Sequence, residues 1–167
     1  TGGGGALLTD DAALAKRAKH LTTTAKLPHP WDYRHDEIAY NYRLPNINAA
    51  LGCAQLEQLP AFLAAKRRLY ERYRTAFAPL REMRIVAEPV GCRSNYWLQT
   101  LLLDESAAAE RDPILRATNE AGLMTRPAWT LMHRLAPYQG CPRMNLPVAE
   151  SLERRIVNLP SSPFLAA

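Results

Sequence analysis

Apolar positions along this 167-residue chain change their period several times, and each change predicts an element. Gly5-Ala6-Leu7-Leu8-Thr9 is a short apolar run of the kind that forms a buried strand. Thr9, Asp10 and Asp11 then supply a capping oxygen and two acids, which predicts a helix to about His20. Lys16, Arg17 and Lys19 lie toward its C-terminal end, where the helix dipole favours cations. Between Thr22 and His35 the periodicity stops. Consecutive threonines, Pro28, Pro30, Trp31 and Tyr33 predict a long loop, and ordered loops of that length usually carry function or bridge subunits.

Pro45 suits the first residue of a helix, continued by Ile47, Leu51 and Ala54 at helical spacing. Pro60 is expected to restart a second helix, in which Phe62, Leu69, Tyr73 and Phe77 share an apolar face. Lys66, Arg67, Arg68, Glu71, Arg72 and Arg74 fall opposite, on a face expected to be solvated. Beyond Pro79 the pattern predicts strands at Arg84-Ile85-Val86 and from Asn95 to Leu103. In the second, Tyr96, Leu98, Thr100 and Leu102 alternate with Trp97, Gln99, Leu101 and Leu103. Asp112-Pro113 opens a helix that Gly122 closes, Leu123 to Arg126 is a further strand, and Pro147 begins a last helix with Ala149, Leu152 and Ile156 inward.

Composition narrows the class. A hydrophobic content of 47% suits one sizeable folded core, and the formal charge is +5. The cations are seventeen Arg and four Lys, and all four Lys (Lys16, Lys19, Lys26, Lys66) precede residue 67, so no lysine nucleophile exists later in the chain. The excess charge fits nucleic acid, anionic lipid or phosphorylated small molecules, and equally a GC-rich genome that favours arginine. Against nucleic acid, the aromatics of the basic helix lie on its core side, where bases cannot stack on them. Cys53, Cys92 and Cys141 form no metal or disulfide pattern, which suits a reducing cytoplasm. No apolar run approaches the roughly 20 residues of a membrane span, and no signal-peptide pattern is present.

Three stretches could carry chemistry. The glycines of Thr1-Gly2-Gly3-Gly4-Gly5 are neither a P-loop nor a dinucleotide fingerprint, because no Lys-Ser/Thr follows and the strand comes after them. They allow close backbone approach to a ligand or another segment. His35 to Pro45 (HDEIAYNYRLP) places an Asn amide and an Arg guanidinium beside a helix start, where they could bind a phosphate, or Asn41 merely closes a turn. Arg126 to Arg134 (RPAWTLMHR) could clamp a diphosphate and stack on a base, or its His133 is structural.

Taken in order, these stretches resemble the PLP-dependent nucleotide-sugar aminotransferases of the DegT/DnrJ/StrS type. That family has a TGEGG-like turn, an HxxxGxNYRM-like motif, then Asn/Gln-Ala-Ala and Gln-Leu-Glu. This chain has Thr1 to Ala6, His35 to Leu44, Asn48-Ala49-Ala50 and Gln55-Leu56-Glu57. TGGGG, HLTTTAKLPHPW, SNYWL, TRPAWTLMHRL and VNLPSSP resemble the branch that aminates UDP-linked 4-keto-6-deoxy sugars for bacillosamine and legionaminic-acid-type products. Gly3 stands for the commoner Glu, Leu44 for Met, and Ala39 for Gly, a strained choice if that position needs positive φ.

The resemblance implies an α/β enzyme of the fold type I PLP-dependent transferases, of which this chain is the C-terminal part with a small α+β C-terminal domain. Residues 1–26 would end the large PLP-binding domain, 27–58 form an inter-subunit loop and helix, and 59–167 the small domain. It further implies transfer of an amino group, commonly from glutamate, to the sugar's C4 ketone in a cytoplasmic homodimer, with no nucleic acid or membrane partner. The family's Schiff-base lysine lies four residues before the match to Thr1, so it is expected upstream and the chain alone is expected to be inactive. By the same resemblance Asn41 contacts the PLP phosphate of the neighbouring subunit, flanked by Tyr40 and Arg43, while His35, Arg126, Trp129 and His133 belong near the nucleotide sugar. A lysine-free binding or dimerising module, and a sugar dehydratase with His in place of the lysine, are the alternatives.

Overall fold

The computed structural model describes residues 1–166, which group into two compact units, Thr1–Leu59 and Pro60–Ala167. Each is built on different physics. In the first, Ala25 alone among the described residues is buried, while Leu7, Leu8, Trp31, Tyr33, Ile38, Tyr42 and Ile47 are exposed. The expected strand over Gly5–Thr9 is absent: the segment has no ladder partner and is exposed throughout, because an isolated strand cannot satisfy its own backbone groups. Helix α1 (Ala12–Thr22) follows as expected, capped by Asp11, whose carboxylate accepts from the Ala13 and Leu14 amides at 2.8 and 3.0 Å.

Helix α2 (Asn46–Phe77) is one helix where two were expected, and it runs through Pro60. Proline deprives the Leu56 carbonyl of its intrahelical bond, yet the helix continues for several turns on either side. The division between the two units falls at this proline.

The second unit is α+β. Strands β1 (Met83–Ile85), β2 (Gln99–Leu103), β3 (Arg126–Pro127) and β4 (Ile156–Leu159) form an antiparallel sheet of order β1-β2-β4-β3. Pro127 is tolerated because β3 is an edge strand. Ile156 was expected inside the last helix; instead α4 (Pro147–Glu153) stops after two turns and Ile156 opens β4. Val-Asn-Leu supplies the β-branched and apolar content of a strand buried between two neighbours, and Val157 and Leu159 join Leu101, Ile85, Tyr70 and Tyr96 in the core.

β2 begins four residues later than expected. Tyr96 takes φ +47°, which turns the chain so that its ring stacks on Tyr70 at 4.3 Å rather than lying on the face of Thr100. A stack of this kind contributes about 0.5–1.5 kcal/mol beyond burial, enough to offset part of the strain at a positive-φ tyrosine. α3 (Arg111–Glu120) ends as foreseen at Gly122, φ +79°, with the Leu123 amide donating to Thr118 at 2.8 Å and the Gly122 amide to Asn119 at 3.0 Å. That bond pair is the Schellman closure.

The basic face of α2 is only partly solvated, contrary to expectation. Lys66 turns inward and its ammonium donates to the carbonyls of Tyr96, Trp97 and Ser161, with burial lowering its pKa. Arg67 pairs with Glu88 at 2.7 Å and lies 5.1 Å from the Tyr96 ring. Glu88 also accepts the Ser94 amide at 2.7 Å. These contacts, the Arg67 hydrogen bond foremost, hold the Glu88 carboxyl down to about 2. A depressed folded-state pKa adds stability above the unfolded value and loses it as pH falls. Glu88→Gln is therefore expected to flatten the decline of the unfolding midpoint between about pH 4.5 and 2, read by denaturant titration across that window; an unchanged slope would rule the tether out as a source of acid lability.

Candidate functional site

In the first unit the loop after α1 folds back on itself. Thr23 bridges Asn41 and Lys26 bridges His35. The Thr24 amide donates to Tyr40 at 3.0 Å, Tyr40 to Leu21 at 3.0 Å, and Tyr42 to Thr22 at 2.8 Å. Folding this tight needs two consecutive residues with positive φ, Thr24 at 72° and Ala25 at 48°, and Ala25 is fully buried. Ala39, by contrast, is not among the positive-φ residues, so its replacement of glycine costs nothing there. Gly3 and Gly4, at φ 144° and 142°, occupy backbone that favours glycine.

This folding fixes the Asn41 amide. Arg43 donates from its guanidinium to Asn41 Oδ1 at 3.1 Å and to the Thr23 carbonyl at 3.0 Å. With the oxygen held, the Asn41 Nδ2 hydrogens have no partner among the described residues and remain as donors on an exposed side chain. Tyr40 and Tyr42 stack at 5.2 Å, which leaves Asn41, between them, on the other side of an extended strand. Arg43 also lines an open cleft of about 600 Å³ with Thr23, Lys26, Leu27 and His29. His35 donates Nδ1–H to the Thr24 carbonyl at 2.6 Å, which in the neutral ring leaves Nε2 an acceptor. Asn41, Tyr40, Arg43 and His35 are thus brought together by one folded loop.

A charged cluster braces it. Arg17 grips Glu37 through both carboxylate oxygens, and His20 Nε2 meets Asp36 at 2.7 Å. Hydrogen bonds from His20 and from Arg17 hold Asp36 and Glu37 respectively below the usual carboxylate range. His20, Asp36 and Glu37 have metal-ligand chemistry, but the guanidinium already neutralises Glu37.

Arg126, Trp129 and His133 lie in the second unit and engage three different partners. Arg126 donates to Asn119 Oδ1 and the Thr125 carbonyl, both at 2.8 Å. Trp129 stacks on Trp97 at 6.2 Å. His133 pairs with Glu150 at 3.3 Å. Three residues escaped the sequence reading. Glu153, buried, accepts the Leu131 amide at 3.2 Å and pairs with Arg134; Glu150 holds His133 and Arg143; Trp97 meets Trp129. The i,i+3 spacing of Glu150 and Glu153 on one helix face was the available signal for the first two.

A sequence model of the DegT/DnrJ/EryC1/StrS aminotransferase family matches residues 1–167. The chain belongs to that family. It is 36% identical over 134 residues to a GDP-perosamine synthase of Vibrio cholerae, covering 80% of this chain and 36% of that protein. A GDP-perosamine synthase of Escherichia coli O157:H7 is 34% identical over 166 residues, 99% of this chain and 44% of that protein. The chain therefore spans less than half the length of these relatives. Among solved structures, Helicobacter pylori PseC, an aminotransferase involved in the biosynthesis of pseudoaminic acid, matches with a TM-score of 0.84 over 93% of this chain and 42% of that chain. At 20% identity the likeness is one of fold: the chain covers part of fold type I, the fold of these PLP-dependent neighbours.

The residues present fit the phosphate of the aminotransferase cofactor: the free donors of Asn41 Nδ2 and the remaining guanidinium N–H of Arg43 are the chemistry an anion needs. The fold behind them is sensitive at Ala25. Replacement by Val puts a branched side chain at φ 48° in a site with no exposure, and is expected to cost about 1–3 kcal/mol. Amide exchange at Tyr40 and Tyr42 should accelerate in full-length protein; unchanged protection would show that the double turn does not hold the Asn41 strand.

Proposed function

We propose that this chain is part of a PLP-dependent aminotransferase that moves an amino group, with glutamate as donor, to the C4 ketone of a UDP-linked 4-keto-6-deoxy sugar used in surface-glycan biosynthesis. The observation that carries the reading is the Asn41 amide, oriented by Arg43 so that its donors face out, within the motif where the family resemblance expects a PLP phosphate contact. Asn41 and Arg43 would hold that phosphate, with the Tyr40 ring beside it, from across a homodimer interface. PLP, when bound, supplies the electron sink for amino transfer. Arg126, Trp129, His133 and, in the first unit, His35 contribute to binding and orienting the nucleotide sugar.

The length of the relatives and the exposed apolar residues of the first unit support an arrangement in which residues 1–26 complete the large cofactor domain, 27–58 reach the neighbouring subunit, and 59–167 form the small domain. Uncovered Leu7, Leu8, Ile38 and Ile47 then become buried in the full-length dimer. By the family resemblance the lysine that binds PLP covalently is expected four residues before the position of Thr1, and residues 1–167 alone are expected to be inactive. Three free exposed thiols suit a cytoplasmic location, and among the described residues no helix is long and apolar enough to cross a membrane. Four basic residues of α2, Lys66, Arg67, Arg72 and Arg74, are drawn into bonds with carbonyls, Glu88 and Glu71, which argues against a nucleic-acid stripe.

A second substrate reading, a GDP-linked 4-keto sugar, is favoured by the identity to the two GDP-perosamine synthases. Turnover of UDP- against GDP-linked 4-keto-6-deoxy sugars by full-length protein separates the two. The full-length protein is expected to show a PLP absorbance band that shifts on adding glutamate, and residues 1–167 alone to show none. Absence of the band from the full-length protein would remove the aminotransferase reading. Asn41→Ala in the full-length dimer should weaken PLP retention by about 1–3 kcal/mol, the cost of a charge-assisted hydrogen bond, measured by dialysis against PLP-free buffer; equal retention would take Asn41 out of the site.

A further inference from the structure

Trp97 and Trp129 are 64% and 69% exposed, yet their rings stack with centroids 6.2 Å apart and planes 26° from parallel. Single exposed aromatics need no explanation, but these two come from separate loops, Trp97 bonded through its own backbone and Trp129 two residues before an anchored Leu131. Trp97 follows Tyr96, which is buried against Tyr70 at positive φ, so its own side chain cannot follow Tyr96 inward. Its amide donates to Asn95 Oδ1 at 2.9 Å, and its carbonyl accepts from the Lys66 ammonium at 3.3 Å and from the Ser161 hydroxyl. Ser161 directly hydrogen-bonds Lys66 as well. On the other side, Glu153 holds the Leu131 amide and the Arg134 guanidinium, and Glu150 pairs with His133. Lys66 and Ser161 thus fix the Trp97 backbone and Glu153 fixes the chain two residues beyond Trp129, so the indole pair is presented on two anchored loops.

Resting on the nucleotide-sugar reading above, we propose that Trp97 and Trp129 form a stacking platform for the nucleobase of the substrate. The rings offer π-faces at low conformational cost because they already stack on each other and the Trp97 backbone is held, and an aromatic platform of this kind accepts any base while phosphate contacts elsewhere orient the ligand. Trp97 is the new member of the site, and Lys66 and Ser161, which bond its carbonyl, are its positioning residues.

Calorimetric titration of full-length protein with UDP, GDP and pyrophosphate tests the platform without amino donor or turnover. Trp97→Ala is expected to weaken UDP and GDP binding about 5- to 100-fold, the range for one stacked base, while pyrophosphate binding, the PLP band and the thermal midpoint stay as in the parent. Trp97→Phe should restore most of the affinity. Unchanged UDP and GDP affinity in Trp97→Ala would overturn the proposal, as would an equal loss for pyrophosphate. A change of oligomeric state with nucleotide affinity intact would assign the indoles to a protein contact and overturn it too. Nucleotide binding without a PLP band would instead defeat amino transfer and leave the platform standing.

Discussion

The antiparallel pairing of β2 with β4, from Gln99 opposite Leu159 to Leu102 opposite Ile156, is the constraint on which the second unit rests. It brings together segments more than fifty residues apart, and the strands outside it, β1 and β3, each hang on one of its members. Leu101, Leu103, Gln99 and Val157 are the largest fully buried side chains apart from the smaller Thr125, and all four stand on this pair. Closing so long a loop is paid for by apolar area removed from water rather than by the ladder bonds, whose net contribution is small.

Once that pair is formed, the chain entering β2 and the chain leaving β4 emerge side by side, and Lys66 exploits it. One ammonium satisfies carbonyls from Tyr96 and Trp97 before β2 and from Ser161 after β4. A partly buried lysine gains from such acceptors, since desolvation lowers its pKa. The Gln99 amide completes the link by donating to the Lys66 carbonyl at 3.1 Å. The exposed Trp97 hangs on this frame through its carbonyl, so its surface position is supported from the sheet outward.

The first unit is organised by a different device. With a single buried residue, its loop is held by backbone bonds, by positive-φ turns at Thr24 and Ala25, and by the Arg17–Glu37 and His20–Asp36 pairs. Exposed ion pairs contribute little to stability, but here they tie α1 to the Asp36–Glu37 stretch of the loop. The lack of an apolar core suits a segment whose hydrophobic residues are completed by other parts of an aminotransferase.

Local chemistry was legible where it acts within a few residues. The cap before α1, the glycine that closes α3, the proline that begins α4 and the ordered family motifs around Asn41 all depend on neighbours in the chain. Motif order also revealed the family, because residue identities at fixed spacing survive in sequence. Tertiary packing decided what depends on distant partners: Gly5–Thr9 stays out of a sheet for want of a neighbour, Pro60 is absorbed into one long helix, and Ile156 becomes a strand because β2 offers its edge. Lys66 and Arg67 look solvated by helical periodicity, yet turn inward because carbonyls and Glu88 wait there. Trp97 meets Trp129 for the same reason, since a contact across thirty-two residues is written in no local pattern. Periodicity reports which side of an element is apolar, and only the assembled fold determines what that side, or its opposite, will touch.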